Sequence, residues 1–245
     1  MIPTIYYIMT CVDLHDLCSF WSTKNQCEQN PQYMYRNCKK SCNVCNISCD
    51  MEKLNVRYGY FERLVENINN SEFDITMHSK KPVLIEVGNF LKDNESQQII
   101  DVCHNKFERS LAGDGVTESR TSEQCWCNTP DCTEKSIIKS VEERTSKLLN
   151  IPYSHAEYMQ ILKYSPGQYY KVHHDQNSDH NSIQGPRIIT FFMYLNTLEE
   201  GAGGETEFPN LNISIRPKKN SAILWNSISD EAPNVDEQET YHEAK

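Results

Sequence analysis

Six of the chain's eleven cysteines fall within the 35 residues from position 11 to position 45. A segment of that length buries too little apolar surface to fold by itself, so cross-links must hold it together. Three disulfides would supply this stabilisation, each contributing about 2–4 kcal/mol. Because disulfides persist in oxidising compartments, the cluster predicts a small stapled module in a protein of the secretory pathway, in the lumen of the endoplasmic reticulum or secreted.

A zinc site is the competing interpretation of this cluster, because Cys42-Asn-Val-Cys45 has the spacing of a ligand pair. The cluster contains no second pair of that spacing, which favours disulfides. Only ten residues precede Cys11, fewer than a secretory signal peptide needs, so we expect an incomplete N-terminus.

The charge balance excludes one class of partner. The chain carries 24 Lys and Arg against 34 Asp and Glu, a net charge of −10. No cluster of basic residues is available to neutralise phosphates, so we expect no nucleic-acid partner. A content of 38% hydrophobic and 24% charged residues is typical of a globular protein. No apolar run approaches the ~18 residues that cross a bilayer, so no segment is predicted to span a membrane.

The cysteine-rich segment resembles the ShK toxin-like (ShKT) module, whose cysteine pattern it matches over residues 11–45. The resemblance rests also on Trp21, the run Asn30-Pro-Gln-Tyr-Met34 and Ser41 before the last C-x2-C pair. Channel-blocking members of the family carry lysine where this chain has Gln32. We therefore expect the module to have a structural role or to dock onto a partner protein. The resemblance implies three disulfides: Cys11–Cys45, Cys18–Cys38 and Cys27–Cys42.

The hydrophobic pattern changes along the rest of the chain. Apolar residues recur at helical spacing in the first half and alternate in short runs after position 152. This order favours an α+β fold in which helices flank a β-sandwich or jelly roll. The polar segment 69–81 is predicted to be a loop. Helices are predicted within 46–81, at about 93–107 and at about 133–149, and strands at 83–87, 158–164, 188–195, 213–216 and 221–225.

A candidate metal site begins at His173-His-Asp175. Residues i and i+2 of a strand or strand end point to the same face, so His173 and Asp175 can bind one ion. His174 then points away from that ion. His242 is the best candidate for a third ligand. Two imidazoles and one carboxylate leave open coordination positions, an arrangement typical of non-haem Fe(II) oxygenases.

The surroundings of this pair resemble the prolyl 4-hydroxylases over about residues 82–245. Tyr164-x-x-Gly-x-Tyr-Tyr-x-x-His-x-Asp175 is similar to the signature of that family. Gly203-Gly-Glu-Thr-Glu-Phe-Pro209 resembles a turn and the strand after it in the family. His242-Glu-Ala resembles the segment that carries the family's distal histidine. Asn220 replaces a usual glycine, a mild change because asparagine tolerates positive φ next best. Upstream of these motifs, Arg120-Thr-Ser also matches the pattern of the family.

The resemblance implies an α-subunit-like catalytic domain with a double-stranded β-helix (jelly-roll) core and flanking helices. It implies a module at 11–45, a helical and loop connector at 46–81 and a dioxygenase domain at 82–245. It also implies a role for ten residues: His173, Asp175 and His242 as Fe(II) ligands, Tyr164, Thr206, Tyr194 and Thr190 around 2-oxoglutarate, and Glu157, Tyr170 and Arg187 as contacts to the peptide substrate.

The implied activity is hydroxylation of peptidyl proline at C4, using O2 and 2-oxoglutarate and giving 4-hydroxyproline, succinate and CO2. L-Ascorbate would keep the iron reduced, and a proline-rich peptide or protein in the polyproline II form would be the substrate. Two other hypotheses stay open. The chain could hydroxylate another peptidyl residue such as lysine, or it could be a secreted binding protein that uses the ShKT module beside a degenerate oxygenase domain.

The C-terminus departs from the family pattern, and the pairing of the remaining cysteines is left open. A lysine about ten residues after the distal histidine pairs with 2-oxoglutarate in the family, but this chain stops at Lys245. We therefore expect a truncated C-terminus and low or no activity, because charge-assisted bonds are the stronger ones. Among the remaining cysteines, Cys127–Cys132 and Cys125–Cys132 are both compatible with a loop disulfide, and Cys49 and Cys103 stay unassigned.

Overall fold

The structure is a computed structural model that describes residues 12–45, 59–112, 115–176, 185–232 and 235–245. The chain divides into two compact units. The described residues at 12–45 belong to the first unit, and those at 59–176 and 187–245 to the second. In this described part of the chain, no helix has the length and hydropathy that crossing a bilayer requires.

The N-terminal module consists of three short helices. They are α1 (Cys18–Thr23), α2 (Gln26–Gln29) and α3 (Pro31–Asn37). Proline at the first position of α3 has no N–H to leave unpaired and already holds a helical φ. Cys18, Met34 and Cys38 form the buried centre, with sulfur atoms in place of a large apolar core.

Two of the three implied disulfides of the module are confirmed. Cys18 bonds to Cys38 and Cys27 bonds to Cys42. Cys45 also forms a disulfide, and its implied partner Cys11 lies outside the described residues. The side chain of Asp13 accepts hydrogen bonds from the backbone N–H and the hydroxyl of Ser41, at 2.9 and 2.6 Å, which ties the start of the module to its end.

In its described residues, the larger unit contains one helix followed by mixed helices and strands. Its helices are α4 (Tyr60–Asn69), α5 (Glu95–Val102), α6 (Pro130–Thr133) and α7 (Ser136–Leu149), with 3-10 turns at Tyr153–His155, Pro209–Leu211 and Gln238–Thr240. Its strands are β1 (Asp74–Lys80), β2 (Val83–Gly88), β3 (Glu108–Arg109), β4 (Glu123–Trp126), β5 (Gln160–Lys163), β6 (Tyr170–His173), β7 (Ile189–Met193), β8 (Thr206–Phe208), β9 (Ile213–Ile215), β10 (Ala222–Asn226) and β11 (His242–Ala244).

Two four-stranded antiparallel sheets form the core of the larger unit. Their strand orders are β1-β2-β10-β7 and β6-β11-β8-β9, and a third sheet has the order β3-β4-β5. Buried side chains from both four-stranded sheets meet in one cluster, which includes Leu84 on β2, Phe208 on β8 and Trp225 on β10. This pairing of sheets is the predicted double-stranded β-helix, and α5 and α7 are among its flanking helices.

Helices α5 and α7 are joined by a buried ion pair. Arg144 donates to both carboxylate oxygens of Glu95, at 2.7 and 2.8 Å, and to the carbonyl oxygen of Phe90 at 2.9 Å. Only 14% of the Arg144 side chain and 12% of the Glu95 side chain are exposed. The planar guanidinium matches the carboxylate in a bidentate geometry that lysine cannot reproduce.

The structure corrects two of the predicted elements. The segment 69–81 is not a loop, because Asp74–Lys80 forms strand β1, which pairs with β2. The predicted helix at about 93–107 ends earlier, at Val102. Asn94 occupies its N-cap position, but its side chain makes no capping bond, and the Glu95 carboxylate instead accepts from the backbone N–H of Lys92. The domain boundary at 82 stays a prediction, although the sheet already starts at Asp74.

Four of the five remaining cysteines form two disulfides within this unit. Cys127 pairs with Cys132, as one of the two loop options predicted. The other option, Cys125–Cys132, is wrong, because Cys125 on β4 pairs with Cys103 at the end of α5. Cys49 lies outside the described residues.

Removing the Cys103–Cys125 disulfide should destabilise the larger unit measurably. The bond joins residues 22 positions apart, and the entropy of closing such a loop corresponds to about 3 kcal/mol. We expect the double substitution Cys103→Ala/Cys125→Ala to lower the free energy of unfolding in urea by about that amount. The matched control is Cys127→Ala/Cys132→Ala, which opens a loop of only 5 positions and should cost about 1 kcal/mol less. Equal losses in the two variants would contradict the prediction.

Candidate metal centre

Two neighbouring strands bring the two candidate histidine ligands together. Strands β6 and β11 pair antiparallel, and His242 lies directly opposite His173 in the register. Side chains directly opposite each other in an antiparallel pair lie on the same face of the sheet. The two imidazole rings accordingly have centroids 4.2 Å apart, although 69 positions separate them in the sequence.

The third candidate ligand follows β6 at a distance of two residues. Asp175 Oδ1 lies 3.6 Å from Nε2 of His173 and 3.7 Å from Nε2 of His242. One donor atom from each of the three residues fits within 4.8 Å of the others. His242 is buried, whereas His173 and Asp175 are half-buried. The structure therefore brings all three predicted ligands into one cluster.

Backbone carbonyl groups fix which nitrogen of each imidazole is available. His173 Nδ1 lies 2.9 Å from the carbonyl oxygen of Lys171, and His242 Nδ1 lies 3.0 Å from that of Thr240. An Nδ1–H that donates to a carbonyl leaves Nε2 without a proton, and both Nε2 atoms face Asp175. This is the orientation that protein metal sites require, so the donor set fits a divalent ion with N/O preference.

The surroundings shift the pKa values of His173 and Asp175 in the directions that suit metal ligands. Burial, followed by the nearby His242, lowers the pKa of His173 to about 4, so its ring is neutral at physiological pH. Burial raises the pKa of the Asp175 carboxyl, but the two histidines and the Thr190 hydroxyl outweigh that effect and bring the pKa below its usual value. Two neutral imidazoles and one carboxylate are the set expected for non-haem Fe(II).

Thr190 on β7 holds the carboxylate rather than contacting the other predicted co-substrate residues. Its hydroxyl donates to Oδ2 of Asp175 at 2.5 Å, leaving Oδ1 directed at the two imidazoles. The resemblance placed Thr190 around 2-oxoglutarate, and it did not suggest this role in orienting a ligand.

Replacing Thr190 by valine should weaken metal binding. The substitution keeps the branched shape of the side chain and removes the hydroxyl that orients Asp175. Loss of such a supporting bond typically costs about 10–100-fold in metal affinity. Titration with Co(II), followed by calorimetry, measures the change, and Thr190→Ser should retain most of the affinity. Unchanged affinity in the valine variant would contradict the role given to Thr190.

Other predicted co-substrate residues lie in the adjoining core. Tyr194 donates its hydroxyl to Thr206 Oγ1 at 2.8 Å, and both residues are buried. The ring of Trp225 lies 4.7 Å from that of His242. Its indole N–H is buried and has no hydrogen-bond acceptor among the described residues. A buried donor without a partner is typical of a place where a polar ligand binds.

Comparisons with known proteins agree with this geometry. Residues 159–245 match the model of the 2OG-Fe(II) oxygenase superfamily, and residues 10–45 match the ShK domain-like model. The solved structure of a viral collagen prolyl hydroxylase from Paramecium Bursaria Chlorella virus-1, in a 2OG complex, is 31% identical in sequence with a TM-score of 0.53. The match covers 66% of this chain and 87% of that one. The chain belongs to the prolyl 4-hydroxylase family.

Curated relatives of the prolyl 4-hydroxylase family share part of their length with this chain. A putative prolyl 4-hydroxylase of Acanthamoeba polyphaga mimivirus is 31% identical over 153 residues, which are 59% of this chain and 60% of that protein. The prolyl 4-hydroxylase subunit alpha-3 of Mus musculus is 30% identical over 156 residues, 59% of this chain and 28% of the mouse subunit.

The residues predicted to contact a substrate form two contacts near the metal ligands. The ring of Tyr170 stacks on that of His173 with centroids 3.5 Å apart. Arg187 donates to both carboxylate oxygens of Glu157, at 2.5 and 2.9 Å, and to the backbone carbonyl of Asp175 at 3.3 Å. Glu157 and Arg187 therefore form an ion pair, and Arg187 also contacts the metal loop at Asp175.

Tyr164 and Arg120 lie close to Tyr170. Burial raises the pKa of the Tyr164 hydroxyl, and the nearby Ser122 and Arg120 partly offset that effect. The Arg120 guanidinium lies 4.6 Å from the centroid of the Tyr170 ring, and its buried Nε has no acceptor among the described residues. The sequence analysis found Arg120 in a motif of the family but assigned it no role. Nothing in the sequence pointed to Trp225.

Proposed function

We propose that this chain hydroxylates peptidyl proline at C4, with Fe(II) as cofactor and 2-oxoglutarate as co-substrate. The single observation that carries the proposal is the cluster of His173, Asp175 and His242, whose donor atoms lie within 4.8 Å of one another in a domain of the prolyl 4-hydroxylase family. The same cluster argues against a degenerate oxygenase domain, because all three ligand types are present and oriented.

The three ligands would hold Fe(II) through two neutral imidazoles and one carboxylate. Bound Fe(II) with 2-oxoglutarate supplies the oxidation that inserts one oxygen atom of O2 into a C–H bond, releasing succinate and CO2. The protein's part is to orient the ligands and exclude water. Lys171 and Thr240 carbonyls fix the imidazoles, and Thr190 fixes the carboxylate.

The co-substrate would be bound by the hydroxyl groups beside the metal ligands. Burial raises the pKa of Tyr194, so its hydroxyl stays protonated and donates to Thr206 Oγ1. The Thr206 hydroxyl then keeps its own proton to donate to a carboxylate, and the unpartnered indole N–H of Trp225 offers a second donor. Tyr164 remains a candidate by resemblance, and its buried hydroxyl lies near Ser122 and Arg120.

The substrate would be an extended, proline-rich peptide. Polyproline II peptides carry no internal hydrogen bonds, so their carbonyl groups are open to donors and their rings to aromatic faces. Tyr170 offers a ring beside His173, and Arg120 offers an N–H without an acceptor among the described residues. Arg187 and Glu157 would line the same side.

The remaining proposals concern the environment of the enzyme. Ascorbate would return iron to the Fe(II) state after uncoupled turnover. The four disulfides described here support residence in the secretory pathway, in the lumen of the endoplasmic reticulum or outside the cell. The ShK-like module would serve as a docking appendage for a partner protein.

The test is a hydroxylation assay on the full chain. The protein is incubated with Fe(II), saturating 2-oxoglutarate, ascorbate and one of two matched peptides, a proline-rich repeat and the same repeat with lysine at the target position. Mass spectrometry locates any added oxygen atom. The Asp175→Asn variant, which lacks the anionic ligand, is the negative control.

The outcomes separate the hypotheses. Oxygen on proline at C4, with succinate formed in equal amount, supports the proposal. An oxygen atom added to lysine instead would show that the chain hydroxylates peptidyl lysine. No oxygen on either peptide, from a chain that binds metal and 2-oxoglutarate, contradicts the proposed reaction and favours a binding protein.

A further inference from the structure

We propose that His174, the histidine between the two ligands of the metal loop, is a positioning residue that fastens this loop to the segment carrying His242. The inference rests on the proposed function, because it concerns the same metal site. The sequence predicted only that His174 points away from the ion. The structure shows where its side chain goes instead.

Both nitrogens of the His174 ring are used in hydrogen bonds. Nδ1 accepts from the backbone N–H of Gln176 at 3.1 Å, within the same loop. Since Nδ1 accepts, the proton lies on Nε2, which is 2.9 Å from the carbonyl oxygen of Glu237. One ring face also lies against Tyr241, with centroids 5.1 Å apart. The bond from Nε2 therefore joins two segments that are 63 positions apart in the sequence.

The bonded carbonyl leads directly to the distal ligand. The Glu237 carbonyl also accepts from the hydroxyl of Thr240 at 3.0 Å. Thr240 is buried, and its own carbonyl accepts from Nδ1 of His242. His174 thus contacts the short turn Gln238–Thr240 that sets the orientation of the His242 ring.

The strand ladder alone does not fix all three ligands. Pairing of β6 with β11 places His173 opposite His242, but β6 ends at His173. Asp175 lies beyond the ladder, on the loop. The bond from His174 to Glu237 continues the connection past the end of the strand, so it keeps the carboxylate in register with the distal imidazole.

Two isosteric variants separate the cross-segment bond from the local one. Glutamine places its amide nitrogen near the position of Nε2, so His174→Gln can still donate to Glu237. Asparagine places its amide near Nδ1, so His174→Asn can keep only the local contact with Gln176. The probe is Co(II) alone, titrated calorimetrically without 2-oxoglutarate or peptide. A failure of this inference is therefore distinct from a failure of the proposed hydroxylation.

We expect His174→Asn to lower the affinity for Co(II) by about 10–100-fold, the usual effect of losing a bond that supports a metal ligand. His174→Gln should bind Co(II) nearly as well as the unchanged chain. The melting temperatures of all three proteins without metal should agree, which excludes a general loss of folding.

Three results would overturn the inference. Equal Co(II) affinity in all three proteins would show that the bond to Glu237 does not position the ligands. An equal loss of Co(II) affinity in the glutamine and asparagine variants would show that the bond to Glu237 is not the cause of the loss. A melting temperature lowered only in His174→Asn, without metal, would make the role one of folding stability.

Discussion

Replacing Asp175 by asparagine is expected to weaken metal binding by more than about 100-fold and to abolish whatever turnover the unchanged chain shows at saturating 2-oxoglutarate. Loss of a group that merely supports a ligand already costs about 10–100-fold, and Asp175 is the only anionic member of the cluster. The amide keeps the size of the side chain but is a weaker ligand than a carboxylate. Calorimetric titration with Co(II) measures the affinity, and 2-oxoglutarate consumption measures turnover.

A second readout separates lost binding from lost folding. An ion that binds only the native state raises the melting temperature of the chain. We expect Co(II) to stabilise the unchanged chain and to leave the asparagine variant unaffected. Asp93→Ala is the control, because Asp93 is exposed and distant from the cluster in the sequence. Co(II) binding by the asparagine variant as tight as that of the unchanged chain would remove Asp175 from the ligand set.

Replacing Arg144 by methionine is expected to lower the free energy of unfolding by about 2–3 kcal/mol. The substitution leaves the partly buried Glu95 carboxylate without its cation, and losing hydrogen bonds between charged groups has a cost of about this size. Urea unfolding measures the loss. Lys139→Met on the same helix is the control, because its pair with Glu134 is exposed and should contribute no more than about 1 kcal/mol.

The cost of Arg144→Met should also depend on pH. Hydrogen bonds from Arg144 lower the pKa of Glu95. A carboxyl whose pKa is lower in the folded state contributes stability above its unfolded pKa and loses it as pH falls through the folded pKa. The difference between the unchanged chain and the variant should therefore be full at neutral pH and shrink in acid. A difference that grows in acid would show that the pair is not the origin of the loss.

The metal ligands could be predicted from the sequence because their spacing carries geometric information. The His-x-Asp pair and the distal histidine sit in motifs that resemble one family, and the β6–β11 register then joins them. Asn220 was expected to tolerate the conformation of a glycine, and its φ is 70°. Two module disulfides followed from the same kind of pattern.

What the sequence missed depends on long-range packing. Strand β1 is a half-exposed edge strand, so its polar composition hides the alternation that marks a buried strand. Helix α5 stops at Val102, before Cys103 is bonded to β4 and Asn105 takes a φ of 61°. No local signal specifies a disulfide between a helix end and a strand 22 positions away.

The pairing of β6 with β11 also has a kinetic consequence. Contacts between residues so far apart in the chain form late in folding, because the entropy of closing a long loop must be overcome first. Chains in which β11 has not yet docked on β6 would lack one of the two imidazoles, so they would bind the cation poorly. Metal uptake would thereby report that these two strands have paired.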